Sequence, residues 1–128
     1  MTGMGRFLAI AGGGLLCAAA HAQTPVDATG AQIFATAGCS HCHGETGLGT
    51  DNAPSLRHVR QQATAAQMVQ QITAGGQVMP PFGEILDAEQ IGRVVAFLRD
   101  PAAWKGKPSA PESKYKAPPL PPVPATQP

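Results

Sequence analysis

Lysine is missing from the first 104 residues of this 128-residue chain, and Lys105, Lys107, Lys114 and Lys116 all lie beyond them. Residues 23–100 carry Arg57, Arg60, Arg93 and Arg99 against Asp27, Glu45, Asp51, Glu84, Asp87, Glu89 and Asp100. A mildly acidic body followed by a basic tail offers no basic face to a phosphate backbone, which argues against nucleic acid as the main partner. Aromatic residues make up only 5% of the chain, so its own side chains build a thin core. Three cysteines are too few for a disulfide framework. No apolar run after the N-terminal one is long enough to cross a bilayer. Strand-like alternation, internal repeats, carboxylate pairs and nucleophile–base pairs are all absent, and nothing points to catalysis.

What is present begins with an export signal. In "MTGMGRFLAIAGGGLLCAAAHAQ", Arg6 supplies a positive start, Phe7 to Ala20 an apolar run, and Ala20-His21-Ala22 a small-x-small cleavage site. Residues 1–22 are read as a signal peptide, with the mature chain starting at Gln23. The alternative is an uncleaved N-terminal anchor. Cys17 lies within the leader, behind Leu15 and Leu16 rather than the small residues of a lipoprotein site. Export leaves Cys39 and Cys42 as the only cysteines and places the protein in the periplasm.

Helix signals follow at three places. Thr29-Gly30-Ala31-Gln32 and Thr64-Ala65-Ala66-Gln67 are capping boxes opening "GAQIFATA" and "AAQMVQQITA", stopped by Gly38 and by Gly75-Gly76. Asp87-Ala88-Glu89-Gln90 opens "AEQIGRVVAFLRD", in which Ile91, Val94, Val95 and Leu98 form one apolar face before Pro101. Between the helices lie loops rich in Gly, Pro and Asn. Nine of the last 28 residues are proline, so residues 105–128 are expected to be an extended polyproline-type or disordered tail. The domain is then residues 23–104, its foldable part about 27–104, with Trp104 packing back on it. A domain this small usually requires an added staple.

"GCSHCHG", Gly38 to Gly44, supplies a candidate. C-x-x-C-H is the attachment pattern for c-type haem. Two residues between the cysteines let one helical turn match the spacing of two porphyrin vinyl groups, and the next residue projects onto the iron. Cys39 and Cys42 would form the thioether links and His43 the proximal iron ligand. Two other chemistries use C-x-x-C. A dithiol redox pair expects a βαβ setting, which is not visible here. A structural zinc site needs four ligands, and His41 and His58 would have to complete it.

For a sixth iron ligand the best candidate is Met79 in "GGQVMPPFG", where Gly75-Gly76 allow close backbone approach and Pro80-Pro81 stiffen the loop. His58 or an open position is the alternative. Met68, beside Val69 and Ile72 in a helix, reads as core. A ligating imidazole needs its second nitrogen held. The Pro54 carbonyl, in "NAPSL", is placed to accept that N–H, with Leu56 against the ring; otherwise Pro54 is only a turn residue.

Taken in order, "IFATAGCSHCHG", "GTDNAPSL", "VMPPFG" and "IGRVVAFLRD" resemble a class I c-type cytochrome, of the monohaem bacterial periplasmic kind, over about residues 28–100. The resemblance implies an all-α fold of three to four short helices around one covalently bound haem c and its iron. It implies that the first and last helices cross near perpendicular, with Gly30 and Phe34 meeting Val94 and Phe97. It also implies that Pro54 holds His43 and that Met79 is the distal ligand. The lysine ring that some members use to dock acidic partners cannot form here. The expected function is a one-electron carrier between larger periplasmic redox proteins such as a dehydrogenase, an oxidase or a membrane cytochrome complex. The alternatives are a haem subunit of such a complex, or a haem enzyme or sensor whose Met79 dissociates.

Overall fold

The computed structural model describes residues 27–109 and 111–123; the leader read from the sequence lies outside them. Five helices follow one another: α1 (Gly30–Thr36), α2 (Cys39–His43), α3 (Val59–Gln62), α4 (Ala65–Ala74) and α5 (Ala88–Arg99). The described residues contain no strand, only an isolated bridge between Thr50 and Ala53. The all-α expectation holds, with two helices more than the three marked by start signals. One of these, α2, is the turn carrying the cysteines. The other, α3, has no side-chain cap and no buried residue, so neither a cap nor an apolar stripe marks it in the sequence.

The three long-signalled helices start where their capping residues stand. Thr29 Oγ1 accepts from Gln32 N–H while Gln32 Oε1 accepts from Thr29 N–H, at 3.3 and 2.8 Å. Thr64 and Gln67 repeat this at 3.2 and 3.0 Å, and Asp87 and Gln90 at 2.8 and 3.0 Å. Each box satisfies two backbone donors that a helix start otherwise leaves open.

The core is built chiefly where α5 meets α1 and α4. Ile91, Val94, Val95 and Leu98 of α5 are all buried, as their spacing predicts, against Ile33 and Phe34 of α1 and Met68 and Ile72 of α4. Burying each such side chain is worth about 1.5–3 kcal/mol. At the α1–α5 contact the backbones touch: a Cβ on Gly30 would lie 2.0 Å from the Arg93 carbonyl oxygen and 2.7 Å from Phe97 Cβ. The contact expected with Phe97 is therefore present, with the Arg93 carbonyl as the nearest atom.

Phe34, Phe97 and Trp104 form a triangle of rings with centroids 5.1–5.7 Å apart, each pair tilted or edge-on. Such offsets suit the ring quadrupoles. Trp104 is buried and packs back on the helices. Beyond it no helix or strand forms among the described residues, as the eight prolines after Trp104 and their fixed φ angles require. The segment nonetheless touches the domain. Ser113 N–H donates to Leu48 O at 2.7 Å, and Leu120 packs against the core.

Candidate functional site

The short α2 presents the C-x-x-C-H residues. Gly38, with φ +95°, turns the chain between α1 and α2 in a conformation other residues rarely adopt. Cys39 and Cys42 then lie three residues apart on one turn, the first buried, the second exposed, both free thiols. Burial pushes the Cys39 thiol up, against a backbone hydrogen bond, and its neighbour Cys42 adds in the same direction. Neither cysteine is consumed by the fold.

His43 ends the helix and is buried, 9% exposed. Its Nδ1 lies 3.0 Å from Pro54 O. A carbonyl can only accept, so this geometry assigns the proton to Nδ1 and leaves the Nε2 lone pair available. Burial lowers the imidazole's affinity for a second proton, opposed in part by the Pro54 bond. The ring is therefore neutral at pH 7, the form that binds a metal.

The loop from Gly44 to Leu56 places that carbonyl. Gly49 N–H donates to His43 O at 2.8 Å, and Thr50 Oγ1 donates to Cys42 O at 2.8 Å. These bonds satisfy carbonyls that the end of α2 leaves open. Leu56 N–H closes the loop on Gly47 O at 2.8 Å. At Gly49, with φ +78°, a Cβ would fall 2.5 Å from Ala53 O and 2.6 Å from the Pro54 carbonyl carbon. A side chain there would displace the group that holds His43. The roles of Gly49 and Thr50 are not marked in the sequence by anything beyond a glycine-rich loop.

A second loop presents Met79. Gly75 N–H bonds Gln71 O, Phe82 N–H bonds Ile72 O and Gly83 N–H bonds Thr73 O, at 2.8–3.1 Å. Both ends of the loop are thus tied to the open carbonyls of α4. Gly76 N–H donates to Met79 O at 2.8 Å, and a Cβ on Gly75 would lie 2.6 Å from that same oxygen. The close approach expected of these glycines is observed. The amide of Gln71, a residue the sequence does not single out, approaches Met79 Sδ at 3.8 Å.

Cys39 and Leu56 belong to one apolar cluster with Met68 and Ile72, and half-buried Met79 packs against it. Met68 is buried as a core residue. His41 is exposed, and the His58 side chain is 62% exposed, 3.3 Å from Glu112. Among the described residues no group of three or more His, Cys, Asp or Glu side chains could hold a metal ion, so a zinc site has no complete ligand set. The available donors are one neutral imidazole, one thioether packed against the apolar cluster and two unpaired thiols on a single turn. This set fits a covalently attached haem and is insufficient for a bare ion.

Residues 25–98 match the family model described as cytochrome c oxidase, cbb3-type, subunit III. No curated protein sequence matches the chain. Among solved structures, the KustC0563 c-type cytochrome is 25% identical with a TM-score of 0.51, over 56% of this chain and 95% of that one. The c-type cytochrome XoxG from Methylobacterium extorquens AM1 is 27% identical with a TM-score of 0.53, over 68% of this chain and 57% of that one.

Proposed function

This chain belongs to the family of c-type cytochromes described as cytochrome c oxidase, cbb3-type, subunit III, and on that premise we propose that it is a monohaem one-electron carrier of the periplasm with His43 and Met79 as axial ligands. Family membership implies covalently bound haem c. When bound, that group supplies a single redox-active iron. Cys39 and Cys42 would anchor it, and Leu56 would line it.

The observation that carries the reading is the 3.0 Å approach of His43 Nδ1 to Pro54 O directly after the C-x-x-C turn. It fixes the imidazole's tautomer and orientation, and it raises the basicity of the free nitrogen. The Met79 loop is held at both ends by α4, so its thioether is presented with little freedom to move. His43 and Met79 would both be donors to the iron, which would supply one-electron chemistry and leave little room for a substrate. A thioether ligand and an apolar surround favour the reduced state, which sets a fairly high potential.

A second reading stays within electron transfer: the chain is the haem subunit of a dehydrogenase or oxidase assembly. The description of its family, an oxidase subunit, favours it. No helix among the described residues is long and apolar enough to cross a membrane. A visible spectrum with a pyridine haemochrome assay on the exported protein tests the common core of both readings. One haem per chain, bound through two thioethers, is expected, and a colourless, folded protein would refute both. Co-purification of a larger redox protein with the chain would favour the subunit over the free shuttle.

A further inference from the structure

The proline-rich tail has no part in the function proposed above, yet its described residues converge on the loop that holds His43. Ser113 N–H donates to Leu48 O at 2.7 Å, and Ser113 Oγ donates to Thr50 O. The same hydroxyl accepts from Tyr115 N–H at 3.0 Å. Arg57 bridges the two segments: Nε donates to Thr46 O at 2.6 Å, and its guanidinium also donates to Pro108 O. It sits 5.5 Å from the centre of the Trp104 ring. That indole in turn lies on Gly47, where a Cβ would come within 2.6 Å of it. The far face of the loop, residues 46–50, is therefore covered by residues from beyond α5. Its near face is bonded to Cys42 and His43.

We propose that the tail is a clasp on the proximal loop, and that Ser113 is a positioning residue for His43, acting through Leu48, Thr50 and the Pro54 carbonyl. The proposal rests on the haem reading only for its effect on the iron. The loop has glycines at positive φ at 44, 47 and 49, so by itself it is costly to order. Bonds on one face alone leave it free to hinge away from α2. Ser113 supplies ties on the opposite face, at the residues flanking Gly49. With the loop pressed to α2, Pro54 O stays on His43 Nδ1 and keeps the imidazole a strong donor, which favours ferric iron. Releasing the clasp lengthens that bond, weakens the donor and raises the reduction potential.

The test uses the full-length haem protein and three variants: S113A, which removes the hydroxyl; S113P, which also removes the N–H; and S113T, which keeps both. Amide hydrogen exchange is read at Gly49 and Leu56, whose N–H groups bond His43 O and Gly47 O. Losing the hydroxyl, with its bonds to Thr50 O and from Tyr115 N–H, is expected to speed exchange there about fivefold to tenfold in S113A, and more in S113P, with α5 unchanged. The reduction potential should rise in the same order, and S113T should restore both quantities. Unchanged exchange and potential in S113A and S113P would overturn the proposal, as would exchange accelerated equally throughout α5. Exchange is read without the chromophore. A colourless chain with locally faster exchange in S113A would uphold the clasp and overturn the haem reading.

Discussion

Gly30 is where α1 and α5 come into backbone contact, and replacing it with alanine tests whether that contact organises the fold. The new Cβ would stand 2.0 Å from the Arg93 carbonyl oxygen, 2.7 Å from its carbon and 2.7 Å from Phe97 Cβ. The nearest obstacle is backbone and cannot rotate aside. To restore about 3.0 Å, the minimum for such contacts, the helices must part by about 1 Å, the difference between that and 2.0 Å. A gap of that size forfeits roughly a quarter to a half of each dispersion contact across the seam. Ile33, Phe34 and Val94 are buried in that region, and the Phe34–Phe97–Trp104 triangle sits at its edge. Overpacking costs typically about 1–3 kcal/mol and occasionally more. The gain in helix propensity from Gly to Ala is at most about 1 kcal/mol, and less at the first helical position. The expected net loss is about 1–2.5 kcal/mol. At about 4–8 °C per kcal/mol for a domain of this size, Tm should fall by roughly 4–20 °C. The assay is thermal and denaturant unfolding of Gly30→Ala and the parent at equal haem content. Gly92→Ala serves as the control, since its Cβ meets nothing within 4 Å and it should gain about 0.5–1 kcal/mol in a helix interior. A Gly30→Ala protein within about 0.5 kcal/mol of the parent would show that the contact is not a constraint.

Four further outcomes are expected. Gly49→Ala forces a side chain onto the Ala53–Pro54 backbone at φ +78°, and should cost about 1–3 kcal/mol while raising the reduction potential; protein-film voltammetry and denaturation check the two together. Asp87→Ala removes the cap of α5 and should lower stability by about 1 kcal/mol, measured as a fall in the denaturant midpoint at constant m-value. Met79→Ala should lower the potential on the order of 0.1 V, within the ~0.8 V range axial ligands span, and open the ferric iron to added imidazole; an unchanged spectrum and potential would remove Met79 as ligand. Electron exchange with a partner should change less than about threefold between low and physiological ionic strength, because no lysine precedes residue 105; stopped-flow rates that fall steeply with salt would contradict this.

Much of the candidate site is legible along the chain because its chemistry is local. Cys39, Cys42 and His43 fall on one helical turn, so their spacing alone brings the thiols and imidazole together. The three capping boxes are also local, each closing within three residues, and all three form as written. Gly75 is recognisable as a helix stop, and the close approach of the Met79 backbone follows from the glycines before it. By contrast α3, with no capping side chain and no buried residue, leaves no trace in a pattern based on caps and apolar faces.

Other features depend on residues far apart in the chain. The sequence proposes the Pro54 carbonyl for His43, but its 3.0 Å approach is reached only because Gly49 and Thr50 hold the loop to the end of α2. Gly30 is one glycine among fifteen until α5, more than sixty residues on, lays the Arg93 carbonyl against it. A composition rich in proline excludes helix and strand from the tail but is silent on whether the tail touches anything; Ser113 finds Leu48 and Thr50 only because Trp104 and Arg57 bring the two segments together. Short-range spacing chooses which groups the chain can offer a cofactor, whereas long-range packing settles how those groups are held, since hydrogen-bond geometry and burial exist only once distant segments meet.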